Sequence, residues 1–293
     1  MIVKNQSNIK VHLATTEIIS QGIAAIAGKS NYGLGTAFPF VYELFNKGKI
    51  NDKKTIVRMA KNFNHYILDS GLFTLMFGAL KGKKDEAYLN KWYECLTDFV
   101  LWEEYKGTMV EVDCQKVLGV EKAWEYRIKM REKVPNRIIN VFHIEDGQKG
   151  LERLIEFSDY IAISVPELRF CGKKNYLNQV ANFIKSKKPS IDIHLLGCTE
   201  RQKLKELSFC SSSDSSSWIS GIRYGQVETL IGKNHINNIK EDIVTNRTNK
   251  WLAVREEKFA DFPMPKTKER NGILTFAAEE SLKIYNKYAG NQD

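Results

Sequence analysis

Asp69 and Asp214 are the residues of this sequence whose type and position best suit a substitution reaction at a carbon atom. Asp69 lies in an apolar run at 65–71, and Asp214 lies in a serine-rich stretch at 211–217. Two carboxylates at one site can divide a substitution between them, because one attacks the carbon while the other carries a proton. Each aspartate alone is equally typical of a turn or a helix cap. The chemical interpretation therefore depends on the elements that position them.

Other polar or small residues also stand where short apolar runs end. These residues are Asp113, His143, Ser164 with Glu167, and Gly197 with Cys198. Taken singly, Asp113 is compatible with an ordinary turn, His143 with a satisfied core histidine, and Cys198 with a small buried hydrophobe. Their recurrence at one end of successive predicted strands is the stronger signal, since strand ends of an α/β barrel face a shared pocket.

Short β-rich runs alternate with helical patterns along most of the chain. Strands are predicted at 9–15, 65–71, 108–114, 137–146, 160–167, 192–200 and 209–218. Helices are predicted at 85–105, 121–133, 151–157, 176–186, 201–207, 236–254 and 275–288, with a further strand–helix unit beginning at 221–226. In the first helix, Leu89, Trp92, Leu96 and Phe99 fall on one face.

This alternation indicates parallel βαβ units. Seven or eight such units without a dinucleotide-binding fingerprint favour an α/β fold of the (β/α)8 TIM-barrel type, with minor insertions and a short C-terminal helical extension. No long linker divides the sequence, so residues 1–293 are expected to form a single domain. Gly28-Lys29-Ser30 looks like the end of a phosphate-binding loop, but Ile23 stands where that motif needs its first glycine.

The composition points to a polyanionic partner. The 293 residues include 44 basic and 35 acidic side chains, for a net charge of +9, although a merely basic soluble enzyme would also fit. The five cysteines form no Cys-x-x-Cys pair, which argues against a disulfide framework or a cysteine zinc site and suits a reducing cytoplasm. No apolar run approaches the ~18 residues of a membrane span, so no membrane partner is expected.

Three features together resemble the guanine transglycosylase family, whose members exchange guanine for a 7-deazaguanine in nucleic acid. The segment Asp69-Ser70-Gly71-Leu72-Phe73-Thr74 is similar to the family's Asp-Ser-Gly-Gly-Phe-Gln motif. Leu195-Leu196-Gly197 matches a later strand that ends in Leu-x-Gly, and Asp214 follows at the place of the family's nucleophilic aspartate. The order and rough spacing cover about residues 65–225.

The resemblance implies a role for each matching residue. Asp214 would be the nucleophile and Asp69 the general acid and base, while Asp113 would read the edge of guanine. The full set of implied base-binding residues is Asp113, His143, Ser164, Gly197, Ser70 and Gly71. Arg223 and Trp218, shortly after Asp214, would contact the nucleic acid. This chemistry requires no metal and no redox cofactor.

The departures from the family pattern indicate which substrate to expect. Leu72 and Thr74 replace a glycine and a glutamine, and His143 stands where a glutamine is usual. The tRNA-modifying members also carry a C-terminal zinc site of three cysteines and a histidine, whereas the last cysteine here is Cys210. The chain is more similar to the short, zinc-less relatives that bacteriophages encode and that modify DNA.

We therefore expect a DNA-guanine transglycosylase in the cytoplasm, the host cytoplasm if the chain is phage-encoded. Its partners would be DNA and a free 7-deazaguanine base, such as the 7-cyano or 7-aminomethyl form. The nearest alternative is a tRNA-guanine transglycosylase. Others are an N-glycosidase or nucleoside deoxyribosyltransferase on small substrates, and a non-catalytic nucleic-acid-binding barrel.

Overall fold

Strands and helices alternate through most of the computed structural model. The structure describes residues 9–14, 32–35, 60–61, 63, 65–71, 85–102, 104–173, 175–258, 260 and 268–290. In chain order the strands are β1 Lys10–Ala14, β2 Tyr32–Gly35, β3 His65–Leu68, β4 Thr108–Val110, β5 Ile138–Phe142, β6 Tyr160–Ser164, β7 Asp192–Leu196, β8 Ser212–Ser215, β9 Gln226–Thr229 and β10 Gly232–His235.

The helices occupy the segments between and after these strands. They are α1 Glu86–Trp102, α2 Gln115–Leu118, α3 Val120–Lys133, α4 Gly147–Phe157, α5 Val165–Phe170, α6 Tyr176–Lys187, α7 Arg201–Glu206, α8 Ser217–Arg223, α9 Glu241–Lys258 and α10 Lys268–Ala289. Short 3-10 turns at Ile144–Asp146 and Ile236–Asn238 precede α4 and α9.

The chain divides into two compact units. We call Gly35–Lys61 with His65–His194 the central unit, and Met1–Leu34, Asn62–Asn64 and Leu195–Asp293 the flanking unit. The boundary between the two units falls within β7.

The central unit is built on parallel strands in the order β3, β4, β5, β6. The register pairs Leu68 with Met109, Val110 with Ile139, and Val141 with Ala162. Nearly every residue of these strands is buried. Burial on both faces is the usual state of parallel strands, because the connecting helices cover the sheet.

Helix α1 shows why the local pattern was informative. Leu89, Trp92, Leu96 and Phe99 are all buried, which confirms the predicted apolar face. The Asp85 carboxylate accepts a hydrogen bond from the Tyr88 backbone N–H at 2.6 Å and caps the first turn.

The flanking unit combines parallel strands with an antiparallel hairpin and two long helices. β1 pairs in parallel with both β2 and β8, and β9 pairs antiparallel with β10. The prediction of a further strand–helix unit at 221–226 is wrong. Those residues end α8 and start the hairpin, because Gly225 takes a left-handed φ of 69° that stops the helix.

The molecule therefore has a mixed α/β fold with parallel strands, compatible with a TIM-like architecture. Closure into eight strands and the single domain stay predictions. The predicted strands were mostly too long at their carboxyl ends. In the described ranges no helix has the length and apolar character needed to cross a membrane.

Candidate functional site

The structure places the predicted site residues at the carboxyl ends of the parallel strands. Asp69 follows the last residue of β3, His143 follows β5, and Gly197 follows β7. Ser164 is the last residue of β6, Asp214 lies within β8, and Asp113 comes shortly after β4. The carboxyl ends of parallel strands are where α/β proteins place binding and catalytic groups.

The Asp69-Ser70-Gly71 segment is attached to α1. The Trp92 indole N–H donates to the Ser70 carbonyl at 2.8 Å, and the Ser70 side chain is buried. Gly71 has a φ of 81°, a conformation that favours glycine. Asp69 is half-buried immediately before this turn. The turn therefore holds the predicted acid/base at a defined strand end.

Asp214 is a buried carboxylate held by the loop after β7. The Gly197 backbone N–H donates to Asp214 Oδ1 at 2.9 Å, and Asp214 is only 6% exposed. Gly197 has a φ of 65°, which directs its N–H toward the carboxylate without the steric penalty that another residue would carry. Two residues far apart in the motif pattern are thus in direct contact.

Buried neighbours immobilise the backbone around Asp214. The Ser213 hydroxyl donates to the Leu195 carbonyl at 3.2 Å and to the Cys198 carbonyl. On the other side, His12 Nδ1 donates to the Ser213 carbonyl at 3.1 Å, since a carbonyl can only accept. These contacts restrict the nucleophile candidate to one position, as a preorganised site requires.

His143 lies between two carboxylates in the central unit. Its Nε2 is 2.6 Å from Asp113 Oδ1, and its Nδ1 is 2.8 Å from Glu167 Oε2. Carboxylates accept hydrogen bonds, so both ring nitrogens carry protons and the imidazole is cationic. Burial alone would lower the pKa of His143, but the charge and hydrogen bonds of Asp113 and Glu167 outweigh it and raise the pKa to about 10.

Lys116 extends this group, which we call the His143 cluster: Asp113, Lys116, His143, Glu145 and Glu167. The Lys116 ammonium is 3.0 Å from Glu167 Oε1 and also contacts Glu145. Burial alone would raise the pKa of Glu167, but His143, Lys116 and the Ile144 N–H at 3.2 Å lower it to about 2. The cluster thus holds three carboxylates against two cations.

The His143 cluster could be mistaken for a metal site. One ligand atom each from His143, Glu145 and Glu167 lies within 4.8 Å of the others. A metal ion would require a deprotonated His143 nitrogen. The raised pKa opposes that loss, and Lys116 already supplies a cation to both glutamates. This arrangement favours an organic ion-pair network over a metal centre.

This geometry bears differently on the predicted base-reading roles of Asp113, His143 and Ser164. The hydrogen bond from His143 uses Asp113 Oδ1, and the Asp113 side chain is 13% exposed. His143 itself is 2% exposed with both nitrogens engaged, so contact with a base would break an existing hydrogen bond. The Ser164 hydroxyl caps α5 through the Glu167 N–H at 3.4 Å.

A buried ion pair supports the strand that leads to Asp113. Arg127 Nε donates to both carboxylate oxygens of Glu111, at 3.0 and 2.9 Å, and Arg127 Nη2 donates to the Val141 carbonyl at 2.8 Å. Asn140 Nδ2 and the Val141 N–H also donate to Glu111. Sequence reasoning missed this network, although a glutamate inside an apolar run was a usable signal.

The two predicted nucleic-acid contacts have different surroundings. Trp218 is 3% exposed, and its indole N–H donates to the Ala14 carbonyl at 3.0 Å. This burial argues against its predicted role, because stacking on a base needs an open ring face. Arg223 is exposed, and the neighbouring Tyr224 is 80% exposed. The aromatic side chain that this surface presents is therefore Tyr224.

The thiol beside Asp113 is not an alternative nucleophile. Cys114 is fully buried, and burial together with the charges of Asp113 and Glu111 raises its pKa to about 12. Thiolates rather than thiols attack electrophiles. The Cys114 thiol is therefore not available as a thiolate for attack.

The charge of His143 makes a pH-dependent contribution to stability. Its pKa rises from 6.5 to about 10 on folding, so this contribution is complete below about pH 6.5 and is lost as the pH rises through about 10. We expect His143→Gln to lower the free energy of unfolding most near pH 6, with the difference from wild type shrinking toward about pH 10. Urea unfolding at a series of pH values measures it.

The exposed His235 offers a matched control for that experiment. His235→Gln removes an imidazole that lies on the β10 surface, so its effect on unfolding should be small at each pH. If the difference in unfolding free energy between wild type and His143→Gln grew from about pH 6 to about pH 10, it would contradict the assignment of His143 as a cation.

No protein-family model matches the chain, and no curated protein matches it. A functional assignment therefore depends on the side chains described above and on the motifs that contain them.

Proposed function

We propose that this protein exchanges guanine in DNA for a 7-deazaguanine base through a covalent aspartyl–sugar intermediate. The proposal includes closure of the parallel strands into a (β/α)8 barrel. The observation that supports it most strongly is the 2.9 Å hydrogen bond from the Gly197 N–H to the buried Asp214 carboxylate. The motif resemblance rests on sequence order alone, and this contact joins two of its members in space.

In the first step Asp214 is the nucleophile. Its carboxylate attacks C1′ of the deoxyribose, the bond from C1′ to guanine N9 breaks, and an ester joins C1′ to Asp214. The departing guanine takes a proton from Asp69, which acts as the general acid. The Gly197 N–H holds Oδ1 of this carboxylate and so fixes its position for the attack.

In the second step the roles of proton donor and acceptor reverse. The incoming 7-deazaguanine loses its N9 proton to Asp69, and N9 attacks C1′ as the ester bond to Asp214 breaks. The Gly197 N–H stabilises the carboxylate as it leaves. Two displacements at C1′ keep the original configuration of the sugar, as in retaining glycosidases.

Asp113 suits recognition of the guanine edge. Guanine presents two adjacent donors, N1–H and the exocyclic amino group, to which a carboxylate is complementary. His143 holds one oxygen of Asp113 at 2.6 Å and supplies a compensating positive charge. A 7-deazaguanine keeps the same donors, so one site would accept both the outgoing and the incoming base.

Duplex or single-stranded DNA is the proposed polymer, with tRNA as the alternative. The net charge of +9 and the exposed Arg223 favour a polyphosphate partner over a small nucleoside. A direct test incubates the protein with radiolabelled guanine and either DNA or tRNA. We expect label in DNA. Label in tRNA alone would assign the alternative, and release of free base without incorporation would favour an N-glycosidase.

A further inference from the structure

The hairpin of β9 and β10 carries apolar side chains at its tip. Leu230 and Ile231 form the turn between Thr229 and Gly232, and they are 43% and 94% exposed. Turns of this length usually contain asparagine, aspartate or glycine, which suit the backbone and water. Leu230 and Ile231 neither favour the turn conformation nor interact well with water. A role in binding therefore explains them better than a role in folding.

The base of the hairpin is held firmly against the flanking unit. Val227 and Thr229 are buried, and the Glu228 carboxylate pairs with Arg201 at 2.8 Å. A Cβ atom on Gly221 of α8 would lie 2.8 Å from the Gln226 carbonyl, so helix and strand pack too closely for a larger residue there. The exposed tip therefore projects from an anchored base.

The hairpin and the segments that flank its base carry the charges and the aromatic side chain that suit a nucleic acid. Between residues 221 and 240 the cations are Arg223, Lys233 and Lys240, all exposed, and the one carboxylate is Glu228, which is already paired. Tyr224 is 80% exposed beside Arg223. Cations that meet phosphates, next to apolar and aromatic side chains that meet bases, are the combination found in proteins that open or bend duplexes.

The position of the hairpin along the chain connects it to the proposed nucleophile. Helix α8 begins directly after β8, which carries Asp214, and the hairpin begins directly after α8. An enzyme that acts on the sugar–base bond in a duplex must move the target nucleotide out of the stack. Such enzymes need a group that fills the space left behind.

We propose that Leu230 and Ile231 form a wedge that enters the base stack of duplex DNA and fills the gap left by the extruded guanine. This inference rests on the proposed function for the identity of the target base. The ligand is a stacked base step flanked by phosphates. Single-stranded DNA has no partner strand to displace, so the wedge is needed only for duplex.

The test compares duplex and single-stranded DNA of one sequence with the double variant Leu230→Ser/Ile231→Ser. Both side chains are exposed, so the variant should fold normally, which circular dichroism checks. We expect base exchange on duplex to fall by about tenfold or more, and exchange on single strands to change less than about twofold. An equal loss on both substrates would overturn the wedge.

Phe170→Ser is the matched control, because Phe170 is another exposed apolar side chain, at 78%, and lies in the central unit. It should leave exchange on both substrates unchanged. A loss on duplex equal to that of the double variant would overturn the assignment to the hairpin.

A second readout separates the wedge from the exchange chemistry. The probe is a duplex that carries 2-aminopurine next to a guanine. The fluorescence of 2-aminopurine rises when this base is unstacked. The wild-type protein should raise the fluorescence on binding, and the double variant should bind with little rise. Binding by wild type without a rise would overturn the wedge. A rise without any exchange would support the wedge while contradicting the proposed function.

Discussion

Replacing Asp214 with asparagine is expected to reduce base exchange by at least about 10³-fold while leaving DNA binding intact. Asparagine has nearly the same size, and its amide oxygen can still accept the hydrogen bond that the Gly197 N–H donates to Asp214. The fold around β8 should therefore survive. What is lost is a carboxylate able to form an ester with C1′, so the covalent path is closed.

The decisive measurement is a trapped protein–DNA ester, seen as a slowly migrating band on a denaturing gel. Wild type should give the band and Asp214→Asn should not. Asp159→Asn is the control, since Asp159 lies on the surface with a side chain 66% exposed, and both band and exchange should persist. Exchange by Asp214→Asn above about one tenth of the wild-type rate would assign the nucleophile elsewhere.

The second large effect concerns stability. Arg127→Met is expected to lower the free energy of unfolding by about 3–5 kcal/mol, because it leaves the Glu111 carboxylate buried without its cation. Both side chains of this ion pair are 2% exposed. For a domain of ordinary stability, about 5–15 kcal/mol, such a loss removes a large fraction of the total.

Urea unfolding of three variants tests this explanation. Glu111→Gln/Arg127→Met removes both charges and should recover part of the loss, because no charge stays buried and the glutamine amide oxygen can still accept from Asn140 Nδ2 or the Val141 N–H. Lys122→Met, on the exposed surface of the same helix, should have little effect. Equal stability of Arg127→Met and wild type would show that the buried pair is not needed.

The ion pair also bears on the proposed recognition of guanine. Glu111 stands two positions before Asp113 and accepts hydrogen bonds from Asn140 and from the Val141 N–H. These contacts connect the end of β4 to β5, which leads into His143. Loss of Arg127 should therefore disturb the position of Asp113 as well as the stability of the unit.

Local patterns in the sequence predicted much of the framework. The period of the apolar residues in α1 identified its buried face, and short β-rich runs located β3 to β8. The same runs put Asp69, His143 and Gly197 near the carboxyl ends of predicted strands, and in the structure each of them directly follows its strand. These predictions succeed because side-chain periodicity is set by neighbours in the chain, whose geometry hardly depends on the rest of the fold.

The partners of the candidate site residues could not be predicted in this way. Glu167 follows β6 and Lys116 lies in α2, yet both reach the His143 cluster that follows β5. Trp218, predicted from the sequence to contact the nucleic acid, is buried and donates its indole N–H to the Ala14 carbonyl. Such contacts depend on strand register and side-chain rotamer, which no local pattern encodes.

The sequence by itself therefore determined which residue types stand at the strand ends. Only the tertiary structure decided which of these side chains are charged, which are buried and which are held by hydrogen bonds. Asp214 illustrates the difference: its position after a serine run is a property of the sequence. Its burial and its hydrogen bond from Gly197 arise from the packing of β8 beside the loop after β7. A carboxylate acquires its reactivity from the water it loses and the donors it gains, and both are set by atoms distant in the chain.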